Sequence, residues 1–118
     1  MFVFEKKQAE KALAITVSGF MKPDEAEAFL KEYNEHINSI NPAEYTLIID
    51  STNLAVSKQD MLPVLEGCFK LYMSNGFKKI MMVNPSSVVA KNQMHKLAET
   101  IAYTGIFVDS LEEAYSHN

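Results

Sequence analysis

Arginine and tryptophan are missing from this 118-residue chain, and cysteine occurs once, at Cys68. Without arginine there is no planar fork for a bidentate grip on phosphate or carboxylate, so any anion site must rely on lysine or backbone N–H groups. One cysteine makes no internal disulfide, and Cys68 falls in a stretch of helical apolar spacing, where a small buried hydrophobe is expected. Four glycines leave little material for a phosphate-cradling loop. No Walker A, G-x-G-x-x-G or G-x-S-x-G pattern occurs, which disfavours nucleotide hydrolysis and the serine-hydrolase elbow. No apolar run approaches the roughly 18 residues of a membrane span, and MFVFEKKQAEK carries charge from Glu5 onward, unlike a signal core. A cytoplasmic location is the expectation. Eleven basic residues against fifteen acidic ones give a net charge of -4, which argues against nucleic acid as a partner.

What is present has the balance of an ordinary globular domain, 47% hydrophobic and 22% charged. A single domain over residues 1–118 is predicted, burying roughly two-thirds of the unfolded chain's surface. FVFEKK and ALAITVSGF are β-prone runs separated by a polar QAEK, an opening hairpin in which Leu13, Ile15 and Val17 share one face. From Lys22 to Ile40 the period changes: Ala26, Phe29, Leu30, Tyr33, Ile37 and Ile40 recur at helical steps, with Pro23 in the first turn. YTLIID has the continuous β-branched character of a central strand covered on both faces. The next helix is expected to take Asp60 as its N-cap, which puts Pro63 at the third helical position, and to end at Asn75 or Gly76. FKKIMMVN is a second buried strand. Ala90, Met94, Leu97, Ala98 and Ile101 mark a helix ending near Gly105, a short IFV strand follows, and Ser110 with Glu113 forms a capping box for a last helix over 111–118. The order β-β-α-β-α-β-α-β-α predicts an α/β fold with a mostly parallel mixed sheet and an opening hairpin.

Ligands of such sheets gather at the carboxyl ends of the parallel strands. Here that edge would carry Asp50, Ser51, Asn53, Ser57, Lys58 and Asp60 from one loop and Asn84, Ser86 and Ser87 from another. The same residue types make turns and cap helices. Asp50 is expected to hold the following loop through its backbone N–H groups. His36, His95 and His117 are scattered without partners at metal-ligand spacing, so neither a metal nor a cofactor is predicted. His95, next to Lys96, falls on the polar face of its helix and is expected to be solvated. No nucleophile, base and orienting group come together in the sequence, which predicts a non-enzyme. Met61, Met73, Met81, Met82 and Met94 should face the core, as packing or as the walls of an adaptable apolar pocket.

The order of elements, with YTLIIDSTNL, FKKIMMVNPSS and the closing IFVDSLEEAY, resembles the STAS superfamily and within it the SpoIIAA-like branch related to bacterial anti-sigma-factor antagonists. The resemblance covers nearly the whole chain. It implies a non-enzymatic regulatory module that binds another protein and is controlled by phosphorylation. Ser57, in AVSKQDM, lies where the family's phosphoacceptor falls, without the family's preceding Asp and following Gly. The related CRAL-TRIO-like fold implies an alternative, a carrier or sensor of a small apolar ligand or lipid.

Overall fold

A computed structural model describes residues 1–117. The order of elements is β1 (Phe2–Lys7), β2 (Ala12–Gly19), α1 (Pro23–Ile37), β3 (Thr46–Leu54), α2 (Leu62–Ser74), β4 (Lys79–Val83), α3 (Val88–Thr100), β5 (Ile106–Val108) and α4 (Leu111–Ser116), with 3-10 turns at Pro42–Glu44 and Gln59–Met61. The five strands lie in sequence order across one sheet. β1 runs antiparallel to β2, and every other pair is parallel. The α/β expectation and its strand order hold throughout the described residues.

Strand alternation divides the apolar residues between two layers. Leu13, Ile15, Val17, Leu47, Ile49, Ile80 and Met82 face α1, α2 and α3, where Phe29, Tyr33, Cys68, Phe69, Tyr72, Met94 and Ala98 meet them. Ala12, Ile48, Met81, Val83 and Val108 point the other way, onto Ala114 of α4. Crossovers of one hand between strands in sequence order put their three helices on the same side. With α4 on the other side, Thr46–Ile49 is buried on both faces. The Tyr33 hydroxyl donates to Asn75 Oδ1 at 2.7 Å, tying α1 to the end of α2. Met61, Met81, Met82 and Met94 are buried as expected, while Met73 is half-buried.

Four local expectations are corrected. β3 runs on to Leu54, because Asn53 and Leu54 still pair with Ser18 and Gly19 beyond a one-residue register shift. Ser51 and Asn53 are therefore strand residues and not loop residues. Second, Asp60 does not cap α2. It lies in the Gln59–Met61 turn, Met61 is the N-cap, and the first helical N–H, that of Leu62, is taken by the Gln59 carbonyl. A 3-10 turn running into a helix supplies partners that a side-chain cap would otherwise provide. Third, α1 stops at Ile37 and leaves Ile40 outside the helix, still packed on the core. Fourth, α3 ends at Thr100, and the positive φ of its exit falls on Ala102 (52°) and not on Gly105. Gly76, with φ of 74°, does follow α2 as expected. Ser110 Oγ accepts from the Glu113 N–H at 3.1 Å, the first half of the capping box of α4. Asn118, included in the expected last helix, lies outside the described residues.

Candidate functional site: the carboxyl edge of the sheet

The residues singled out in the sequence come to one edge of the sheet, but they serve different ends. Asp50 Oδ1 accepts from the Thr52 N–H at 3.1 Å and from the Thr52 hydroxyl at 2.6 Å, holding the chain at the β3 register shift. Ser86 reaches across from the β4 exit, its N–H and its hydroxyl both donating to the Thr52 carbonyl at 3.0 Å. Ser87 caps α3, with Oγ accepting from the Ala90 N–H at 3.3 Å. Asn84 donates to Asp109 at 3.0 Å, and its Oδ1 lies 2.7 Å from His95 Nε2. These hydrogen bonds fasten the exits of β3, β4 and β5 to one another. Asn53, Lys58 and Asp60 are exposed.

Ser51 and Ser57 stand apart from this strapping. Ser51 continues the inward row of Leu47 and Ile49, is 1% exposed, and its hydroxyl has no hydrogen-bond partner among the described residues. It is no part of a docking surface. Ser57 is half-buried, and its backbone is held in both directions by one side chain: its N–H donates to Gln93 Oε1 at 2.8 Å, and Gln93 Nε2 donates to its carbonyl at 2.9 Å. Gln93 thus imitates a neighbouring strand for one residue. Nothing in the sequence around Gln93, 36 positions away on a helix, signals this role. Gln93→Ala should cost about 1 kcal/mol, the net worth of hydrogen bonds whose groups can return to water. Hydrogen exchange checks it. The Ser57 amide should lose its protection while Leu47–Ile49 keep theirs, and an unchanged Ser57 amide would mean that something else holds this segment.

Beside these polar residues, apolar side chains are also exposed. The large hydrophobic side chains left exposed include Phe20, Val56, Val88, Val89 and Leu111. Phe20 follows β2, Val56 follows β3, Val88 and Val89 open α3 after β4, and Leu111 opens α4 after β5. All five therefore lie along the carboxyl edge. The valine pair was legible in principle, because positions 88 and 89 fall off the Ala90, Met94, Leu97, Ala98 stripe at the start of the same helix. Phe20 had no such signal, since it continues the apolar run of β2. A shallow groove of about 340 Å³ runs between residues 20–23 and 57–61. Beneath Ser57 lies a smaller cavity of about 40 Å³, walled by residues including Phe29, Ile49, Leu54, Cys68, Phe69 and Met82, with Ser51 and Ser57 among its lining.

The titratable groups near this edge offer little chemistry. Burial pushes the Cys68 thiol up to about 11, so it is protonated and unreactive near neutral pH. His95 is half-buried and stacked on Phe107 with ring centroids 4.0 Å apart, not solvated as its position beside Lys96 suggested. Burial first and Lys91 second hold it below the ordinary imidazole value. Because Asn84 donates through its amide nitrogen to Asp109, its oxygen faces His95 and fixes the proton on Nε2. Among the described residues, no three His, Cys, Asp or Glu side chains are grouped so as to hold a metal ion. No helix among them is long and apolar enough to cross a membrane.

The sequence matches no protein-family model and has no significant match among curated proteins. Similarity to solved structures is clear and spans the chain. The anti-sigma factor antagonist SpoIIAA in its unphosphorylated form superposes with a TM-score of 0.63 at 14% identity, over 99% of this chain and 96% of that one. An uncharacterised protein of the DUF3478 family with a SpoIIAA-like fold, from Shewanella loihica PV-4, superposes with a TM-score of 0.69 at 15% identity, over 99% and 91%. At such identities the likeness is one of architecture. With its sheet order, its single antiparallel edge strand and its helices in the same succession, this chain has the SpoIIAA-like fold.

Proposed function

We propose that the chain is a non-enzymatic regulatory module that docks another cytoplasmic protein on the carboxyl edge of its sheet, with Ser57 as the phosphorylation site that controls docking. The observation that carries this reading is the placement of Phe20, Val56, Val88, Val89 and Leu111 along that one edge. Exposed apolar side chains scattered singly need no explanation, but a row of them bordered by polar residues is the usual composition of a protein-binding surface. The shared fold with an anti-sigma factor antagonist supports the same kind of role.

Ser57 suits a switch for a physical reason. The residue borders both the inner cavity and the outer groove. A phosphate dianion cannot stay turned toward the apolar cavity and must swing outward, where exposed Lys58 attracts it and Asp60 opposes it. The segment bearing Val56 would move with it. A lipid carrier, the alternative, would need this segment to open, since about 40 Å³ holds roughly three waters and no acyl chain.

The test is affinity capture of the tagged protein from its own cells with three variants. Phe20→Asp combined with Val88→Asp places charge at two points of the apolar row, after β2 and after β4, and should reduce a stoichiometric co-purifying protein at least about tenfold. Ile106→Asp, at the opposite end of β5, should leave it in place. Ser57→Glu should lower it as well. Retention of the partner by both the Phe20/Val88 and Ser57 variants would remove this edge from the interface.

A further inference from the structure

We propose that residues 55–58 form a strap closed by Gln93, and that an enzyme modifying Ser57 acts on the open strap and not on the closed one. This gate rests on the reading of Ser57 as the phosphorylated residue. The strap joins the end of β3 at Leu54 to the Gln59–Met61 turn and belongs to neither helix nor sheet. Both of its ends are tied to backbone: the Ala55 N–H donates to the Gly19 carbonyl at 3.1 Å, and the Lys58 carbonyl accepts from the Met61 N–H at 2.9 Å. Between those ends, among the described residues, the strap's hydrogen bonds are the pair that Gln93 makes with the Ser57 backbone.

Packing from below is weak as well. The cavity of about 40 Å³ lies under the strap, bordered by Leu54, Ser57 and Met61, so the inner side lacks the close contacts that hold a core segment. On the outer side Val56 and Lys58 are exposed. A segment with little buried apolar contact and one side-chain cross-link opens at a lower free energy than the whole fold. Gln93 stays in place when it does, because α3 is held to the sheet by Ala90, Met94 and Ala98. Extended segments are recognised through their main-chain hydrogen bonds. In the closed strap the Ser57 N–H and carbonyl are already taken, and the residue is half-buried. Only the open fraction is competent, and that fraction scales the apparent affinity of a modifying enzyme.

Trypsin cleavage after Lys58 reads the open strap, because Lys58 is exposed but enters a protease only as extended chain. Lys70, inside α2, reads opening of the fold as a whole. In the full chain Lys58 should be cut well before Lys70, at a rate that low urea leaves nearly unchanged. Gln93→Ala and Gln93→Met, the second of which keeps most of the side chain's volume, should each speed Lys58 cleavage about fivefold, the change in open fraction when the hydrogen-bonded pair is lost. Asn92→Ala, exposed beside it on α3, should leave the rate alone. In protein isolated from its own cells, Gln93→Met should raise the phosphorylated share of Ser57. Lys58 cut no faster than Lys70, a Lys58 rate unmoved by both Gln93 variants, or a measurable phosphorylated share that stays constant while Lys58 cleavage accelerates would each overturn the gate. Ser57 free of phosphate in native and variant alike would overturn the switch, and with it the strap's part in modification, while the cleavage rates still decide the catch itself.

Discussion

Phe29→Ala should lower the unfolding free energy by about 3–5 kcal/mol, the largest loss expected from a single truncation in this chain. Phe29 is 1% exposed and sits where three parts of the fold meet. Its ring lies edge-on to Phe2 at 5.4 Å and tilted against Phe4 at 5.3 Å, both from β1, and it stacks at 6.2 Å on Tyr33 one turn along α1. β1 is an edge strand, hydrogen-bonded to β2 alone. Phe29 is the ring of α1 that both phenylalanines touch, although Phe4 also stacks on His36 at 4.9 Å, and truncation removes its contacts with Phe2, Phe4 and Tyr33 at once. The neighbouring space already contains a cavity, so the hole left behind adds to a void that the core has not closed. Phe29→Leu should cost much less, about 1 kcal/mol, because it keeps most of the volume. Urea unfolding measures both, and the slope with denaturant should stay constant. A loss below about 1 kcal/mol for the alanine variant would mean that β1 is held by its backbone pairing alone. The consequence reaches the candidate edge, because α1 starts three residues after Phe20 and its position fixes one wall of the groove.

Elements whose cause is local were legible in the sequence. Leu13, Ile15 and Val17 alternate because β2 has one inward face toward the helices, and Thr46–Ile49 is continuously apolar because helices cover both faces there. Ala26, Phe29 and Tyr33 betray α1 by spacing alone. Errors arose where partners are distant or where the backbone does the pairing. Ser51, Thr52 and Asn53 have the composition of a loop, yet the chain stays in the sheet because β2 offers Ser18 and Gly19 as partners. Backbone pairing of that kind leaves no side-chain signature. The cap of α2 failed for a related reason: Asp60 has the right chemistry for a cap, but the Lys58 and Gln59 carbonyls already satisfy the N–H groups of Met61 and Leu62. At the candidate edge the polar members were found by residue type, whereas Gln93 and Phe20 were not. Their roles exist only once α3 lies beside the Ser57 segment and the β2 exit lies open to solvent.

Gly105→Ala should cost about 2–3 kcal/mol, and nearly all of that cost should disappear when Tyr103 is also truncated. The sequence places the end of a helix near Gly105, but the positive φ in that exit belongs to Ala102, three residues earlier. The need for glycine at 105 is one of space. A Cβ built there would stand 2.3 Å from Tyr103 Cε2 and 2.7 Å from Cζ. Tyr103 cannot simply swing aside, because its ring stacks on Phe69 with centroids 4.6 Å apart and its hydroxyl is buried. The two explanations separate cleanly in a double-mutant cycle. If backbone strain were the cause, Gly105→Ala would cost the same in a Tyr103→Ala background as in the native chain. If crowding is the cause, the second substitution should cost only a few tenths of a kcal/mol, and Ala102→Gly should be neutral or stabilising because it relieves the residue that does hold positive φ. Thermal unfolding of the four members of the cycle, with Ala102→Gly alongside, decides between them. Phe69 also walls the cavity beneath Ser51, so a Tyr103 ring displaced by the added methyl group would press on that wall.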